Sequence, residues 1–129
     1  MEAADPALHR AVSGGDLERV ESLLSRGVNV NKTNARGLTA LHLAANGDEW
    51  RIAGALLRYG ADLEAVDDED KRPLHYAVDE SSVNMVEWLL RQGARWDIPD
   101  ADGDTALDLA KRIGEKSVLA LFDYYHLLD

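Results

Sequence analysis

Three Leu-His pairs, Leu8-His9, Leu41-His42 and Leu74-His75, stand 33 residues apart, and Leu107-Asp108 continues the same step. The register extends behind each pair. An Ala follows at Ala11, Ala44, Ala77 and Ala110, a Leu-Leu pair at Leu23-Leu24, Leu56-Leu57 and Leu89-Leu90, and a Gly at Gly27, Gly60 and Gly93. A period of this length marks an array in which each unit is one supersecondary element. Such a unit cannot bury its apolar face alone and must stack on the next. The chain of 129 residues is therefore read as a single domain, 1–129, of four units at approximately 1–33, 34–66, 67–99 and 100–129.

The local chemistry of a unit predicts two helices and a turn-rich connection. Thr39 and Thr105 stand where a side-chain oxygen caps the first unpaired amides of a helix. Asp5-Pro6 is expected to do the same, with an acid cap and Pro at the first helical position. Pro73 occupies an early helical position too, although Arg72 before it is a poor cap. The segment Leu41 to Asn46 reads as a short, Ala-rich helix whose small side chains permit close approach of neighbours. A second helix over Trp50 to Tyr59 places Ile52, Leu56 and Leu57 on one stripe. Gly60 follows, where a left-handed residue closes a helix.

The segments Thr39-Ala-Leu-His-Leu-Ala-Ala45, Arg72-Pro-Leu-His-Tyr-Ala-Val78 and Gly60-Ala-Asp-Leu-Glu-Ala65 closely resemble the ankyrin repeat, and the resemblance covers about residues 5–123. It implies an all-α repeat solenoid of antiparallel helix pairs, with short β-hairpin loops projecting at right angles. The sequence departs from that pattern in places. Asp70 replaces the hairpin Gly of Gly37 and Gly103, so a strained loop or a different turn type is expected there. Asp48 and Ser81 replace the inter-helix Gly of Gly15 and Gly114. The first unit lacks a hairpin and the fourth has Asp108 for His, as end units do. The tail, Leu119, Leu121, Phe122 and then Tyr124-Tyr125-His126-Leu127-Leu128, is read as covering the open end of the core.

Composition narrows function by exclusion. There is no Cys, which removes disulfides, thiolate metal sites and cysteine nucleophiles, and fits a cytoplasmic or nuclear compartment. No signal peptide and no membrane-spanning stretch is visible. The net charge of −10 argues against nucleic acid, since phosphate binding needs clustered Lys and Arg. The acid is also polarised: residues 1–66 carry nine acids and seven bases, net −2, and residues 67–129 carry fifteen and seven, net −8.

Candidate chemistry is sparse. Spacing of 33 residues places the histidines on successive units about 8–10 Å apart, whereas zinc needs its ligand atoms within about 2.0–2.3 Å of one point. Each His is instead expected to hydrogen-bond its own hairpin, and no metal or cofactor is expected. No phosphate loop, nucleophile elbow or His-Glu-x-x-His helix occurs, so an enzyme is not expected. The acidic run Asp67-Asp68-Glu69-Asp70 reads as solvated loop or as recognition surface, and Asn31-Lys32-Thr33 as an accidental glycosylation sequon. Trp50 aligns with Leu17 and Val83 and is expected in the core. Trp96, at the hairpin base, is expected buried or half-buried. Trp88 either packs between units or offers a second contact face.

The resemblance also implies where a partner sits, on loop tips and on the concave face of the inner helices. Carried over position by position, the tips are Ala35, Arg36 and Leu38; Asp68, Glu69 and Lys71; Ala101, Asp102 and Asp104. The inner-helix ends add Ser13, Asn46, Asp79, Glu80 and Arg112, with Tyr76 and Leu38 as apolar contacts amid the charge. The expected function is a monomeric protein-interaction module, an adaptor, inhibitor or scaffold, whose units two to four receive a basic segment of another protein. The competing reading is a targeting domain of a larger regulator, such as a phosphatase-targeting or transcriptional co-factor subunit.

Overall fold

The computed structural model describes the backbone of residues 5–128 and the side chains of residues 5–125. Each unit contributes two helices: α1 Ala7–Ser13 and α2 Leu17–Ser25; α3 Ala40–Asn46 and α4 Trp50–Arg58; α5 Pro73–Asp79 and α6 Val83–Arg91; α7 Ala106–Ile113 and α8 Lys116–Leu128. The odd-numbered helices stack side by side as an inner row, and the even-numbered ones as an outer row. Among the described residues the loops contain no strand: they are hairpin-shaped turns.

Side-chain size explains the two rows. Ala11, Ala44, Ala77 and Ala110 are buried where inner helices meet, so their backbones come close. Larger residues fill the space between rows and outer helices: Val20 and Leu24, Ile52 and Leu56, Met85, Val86 and Leu89, Val118 and Phe122. Each such Leu, fully withdrawn from water, contributes roughly 1.5–3 kcal/mol. Phe122 and Val118 carry the core into α8, with Leu119, Leu121 and Tyr125 packed against it and Tyr124 exposed. The side chains of His126, Leu127 and Leu128 lie outside the described residues.

His42 and His75 bond the end of their own loop, as expected from sequence, and together with His9 they also join one unit to the next, which the sequence reading did not anticipate. The Thr39 N–H donates to His42 Nδ1 at 3.0 Å, and the Arg72 N–H to His75 Nδ1 at 3.1 Å. With Nδ1 accepting, Nε2 carries the proton. It donates to the Lys71 carbonyl from His42 (2.8 Å) and to the Asp104 carbonyl from His75 (3.0 Å), each 29 residues ahead. His9 reaches the Leu38 carbonyl at 2.7 Å in the same way. In the fourth unit Asp108 caps its own helix, its Oδ2 accepting the Thr105 N–H while the Thr105 hydroxyl accepts the Asp108 N–H, both at 3.0 Å.

Burial is the main cause that holds the pKa of His42 and His75 below the usual histidine value, against the opposing effect of their carbonyl partners. As pH falls through about 6.5 the unfolded chain takes up protons first, so stability is full above that pH and declines below it. The thermal midpoint is expected to be level from pH 7 to 8 and to fall steadily from pH 6.5 to 5. An unchanged midpoint at pH 5 would count against neutral, inter-unit histidines.

The first unit lacks one of these bonds. Pro6 stands at the N-cap of α1, with no side-chain cap, so the expected Asp5 cap with Pro at the first helical position is not formed. Proline has no N–H, and buried His9 Nδ1 has no partner. Pro6 has φ −55° and ψ 155°, close enough to the Thr39 values of −89° and 169° that Thr fits the same backbone. Pro6→Thr supplies both an N–H for His9 Nδ1 and a capping hydroxyl. It is expected to stabilise the fold by about 1 kcal/mol after the loss of proline's rigidity, read as a higher urea midpoint at unchanged slope.

The loops repeat one device that the sequence reading missed. Asn34 Oδ1 accepts the N–H groups of Arg36 and Leu38, Asp67 Oδ1 those of Glu69 and Lys71, and Asp100 Oδ1 those of Asp102 and Asp104, all at 2.9–3.0 Å. Asp70 keeps this turn: its φ of 58° is left-handed like the 78° of Gly37 and the 86° of Gly103, so no different turn type arises. Asp48 and Ser81 likewise adopt the left-handed form found at Gly15 and Gly114. The flanking helices impose that backbone on residues for which it costs on the order of 1 kcal/mol.

Two placements differ from expectation. Trp50 is 42% exposed, not core, and Leu38 is 7% exposed, tucked under its loop rather than offered at the tip. Trp96 and Trp88 are half-buried and pack against the core.

Candidate functional site

The inner helices α5 and α7 and the loops preceding them enclose a cleft on the concave side. It measures about 220 Å³ and is lined by Lys71, His75, Tyr76, Asp79, Asp100, Asp102, Asp104, Leu109 and Arg112. Six of the residues singled out by sequence, Lys71, Tyr76, Asp79, Asp102, Asp104 and Arg112, meet there. The sequence brings them together because positions 29 to 33 apart fall side by side on adjacent units.

Tyr76 forms one wall. Its hydroxyl donates to Asp67 Oδ2, its ring meets that of His42 edge-on at 5.7 Å, and Lys71 Nζ lies 5.9 Å from its centroid. Burial first, then the Asp67 carboxylate, pushes the Tyr76 pKa above its usual value. Burial alone would raise the Asp67 pKa. The Tyr76 hydroxyl and the Lys71 and Glu69 amides outweigh it and hold the carboxyl below the usual range. Asp67 is therefore an ionised, buried scaffold for Tyr76 and for its loop. It is neither solvated nor offered for recognition.

In the same lining, Arg112 Nη2 sits 2.6 Å from Asp104 Oδ1. The hydrogen bond to Asp104 comes first among the causes raising the Arg112 pKa. Asp102 projects from the exposed tip, and Asp79 is the exposed last residue of α5. Four carboxylates against Lys71 and Arg112 give the lining a net charge of −2.

The other sequence candidates lie outside this lining. Arg36, Asp68 and Glu69 are exposed on the loop tips. The Arg36 carbonyl accepts the Asp68 N–H at 3.2 Å and the Glu69 carbonyl accepts the Ala101 N–H at 2.9 Å, so the tips of units two to four are laced into a row. That row needs Gly37: a Cβ there would stand 2.5 Å from Asp68 Oδ1 and 2.9 Å from its backbone nitrogen. Asn46 ends α3 and Glu80 follows α5, both exposed. Leu38 is buried and leaves the set.

The cleft holds four carboxylates, two cations, the phenol of Tyr76 with its hydroxyl on Asp67, and His75 with its Nε2 on the Asp104 carbonyl. Among the described residues no three His, Cys, Asp or Glu side chains are grouped to hold a metal ion. No helix among them is long and apolar enough to cross a membrane.

A family model described as ankyrin repeats (three copies) matches residues 8–100. No curated protein matches the chain.

Proposed function

Matched over most of its length, the chain belongs to the ankyrin-repeat family, and on that premise we propose that it binds a basic segment of another protein in the concave cleft of its third and fourth units. Ankyrin repeats are protein-interaction modules, and the module here is read as a monomeric adaptor, inhibitor or scaffold of the cytoplasm or nucleus, without a cofactor. The observation that supports this reading most is the seat of Arg112. Its guanidinium rests on Asp104 at the rim of a cleft that also holds the exposed carboxylates of Asp79 and Asp102. A partner's Arg or Lys side chain finds there the same kind of carboxylate partner that Asp104 gives Arg112. Acids along the tips, Asp68 and Glu69, act at longer range. They speed encounter and select orientation more than they add affinity.

The test is affinity capture from lysate with partners identified by mass spectrometry, then titration of the captured protein at low and moderate salt. Asp68→Asn, Glu69→Gln, Asp79→Asn and Asp102→Asn are combined, because these four side chains are exposed and none of their carboxylates makes an ion pair among the described residues. The combined variant is expected to lose at least tenfold in affinity at low salt and most of the salt dependence. Equal retention of the partner by both proteins would reject the cleft as its site.

A further inference from the structure

Asn34, Asp67 and Asp100 hold their loops alike, each with one oxygen accepting two backbone N–H groups. They differ in the second polar atom of the side chain. Asn34 Nδ2 donates to Asp5 Oδ1 at 3.3 Å. Asp67 Oδ2 accepts the hydroxyl of Tyr76, nine residues further on. Nine residues beyond Asp100 stands Leu109, which has nothing to donate. Among the described residues no hydrogen bond reaches Asp100 Oδ2, and Asp100 makes no ion pair.

Asp100 is nonetheless only 7% exposed. A carboxylate so far withdrawn from water is costly unless its oxygens are met, and nearly all such groups are. Oδ2 is not sealed off, since it is absent from the side-chain atoms that lack both solvent and partner. The cavity that Asp100 lines, beside Leu109, is the concave cleft. Asp104 stands in the same lining on a backbone held from both sides: its N–H donates to Asp100 Oδ1 at 3.0 Å, and its carbonyl accepts His75 Nε2 at 3.0 Å. The loop that carries both carboxylates is therefore set before any partner arrives, which lowers the entropic cost of binding.

We propose, resting on the cleft as the seat of a basic segment, that Asp100 is its anchor: the open Oδ2 accepts the hydrogen bond of one ammonium or guanidinium group of that segment. The lining has a net charge of −2, which selects a cation over the neutral phenol that Asp67 takes in the unit before. Arg112 already answers Asp104, whereas Asp100 has no counter-charge of its own. A charge-assisted hydrogen bond to a buried carboxylate is stronger than one made in open solvent, where Asp79 and Asp102 stand exposed and screened. The exposed acids draw the segment in, and Asp100 fixes which of its side chains enters the cleft. Asp100 is thus the residue that sets the register of the partner.

Random dodecapeptides displayed on phage and selected on the immobilised wild-type chain provide the probe, and two variants separate the anchor from the general charge of the face. Asp100→Asn keeps the turn, as Asn34 does with an amide oxygen, and puts a donor where the open acceptor was. Leu109→Tyr copies the third unit, where a phenol at this register closes the second oxygen, and leaves every charge in place. Enriched peptides are expected to contain one Lys or Arg whose replacement by norleucine abolishes binding. Both variants are expected to weaken them at least about tenfold, the worth of one charge-assisted hydrogen bond. Slow hydrogen exchange at the Asp102 and Asp104 amides verifies that the loop is intact, and if Asp100→Asn loosens it, Leu109→Tyr decides alone. Full affinity in either variant with the loop intact, alongside loss in the combined concave-face variant, overturns the anchor and leaves the cleft as the site of a basic segment. A required Tyr or Ser in place of the cation overturns the anchor as well. Failure to enrich basic peptides, or enriched peptides that no concave-face substitution weakens, removes the reading of the cleft and the anchor with it.

Discussion

His42→Ala is expected to lower the free energy of unfolding by about 4 kcal/mol, the sum of a buried cavity and two orphaned backbone groups. The imidazole is fully buried. Its removal strands the Thr39 N–H and the Lys71 carbonyl, each of which it holds at 2.8–3.0 Å. For a domain with typically 5–15 kcal/mol in total, this is a large fraction. For a chain of this size the melting temperature falls by roughly 15 °C. His9→Ala removes the same volume from the equivalent place but strands one group, the Leu38 carbonyl, because Nδ1 has no partner there. It is expected to cost about 1–2 kcal/mol less. Equal losses in the two variants, measured by urea titration, would mean that ring volume and not bridging sets the effect.

Asp67→Ala is expected to cost about 3 kcal/mol, and Asp67→Asn only about 1 kcal/mol. The alanine variant abandons the amides of Glu69 and Lys71 and the hydroxyl of Tyr76 together. The asparagine variant keeps the loop, since Asn34 performs the same task with an amide oxygen at 3.0 Å. What it loses is the ionic partner of Tyr76. Hydrogen exchange at the Lys71 amide separates the cases: it is expected to accelerate strongly in the alanine variant and little in the asparagine one. Below about pH 3.8 the wild type loses the same support, because the depressed Asp67 pKa contributes stability only while the unfolded carboxyl would also be ionised.

The helix pairs were legible because their signals are local. Thr39 and Thr105 cap what their positions promised, and Gly60 closes α4 with φ 91° and the paired bonds Gly60 N–H to Leu57 carbonyl and Ala61 N–H to Leu56 carbonyl. The destination of the histidine Nε2 was not legible, because it depends on the offset between stacked units and not on any one unit. Asp67 was hidden by its acidic neighbours, although Asn34, Asp67 and Asp100 share the 33-residue step and a search for turn-forming side chains in that register would have found them. Trp50 was misplaced by alignment: Leu17 and Val83 fold partly under the rim of the outer row, whereas the indole at the same position stays out. Of the cleft, the acids were visible in the charge count, but the wall made by Tyr76 on Asp67 required a contact nine residues apart.

The three carbonyls gripped by His9, His42 and His75 belong to Leu38, Lys71 and Asp104, an aliphatic, a cationic and an anionic residue. The joint between units is thus blind to the identity of the residue it holds. Side chains on the neighbouring tips can be exchanged without renegotiating how the units fasten to one another. A chain built this way keeps its skeleton constant while the lettering on its surface is rewritten.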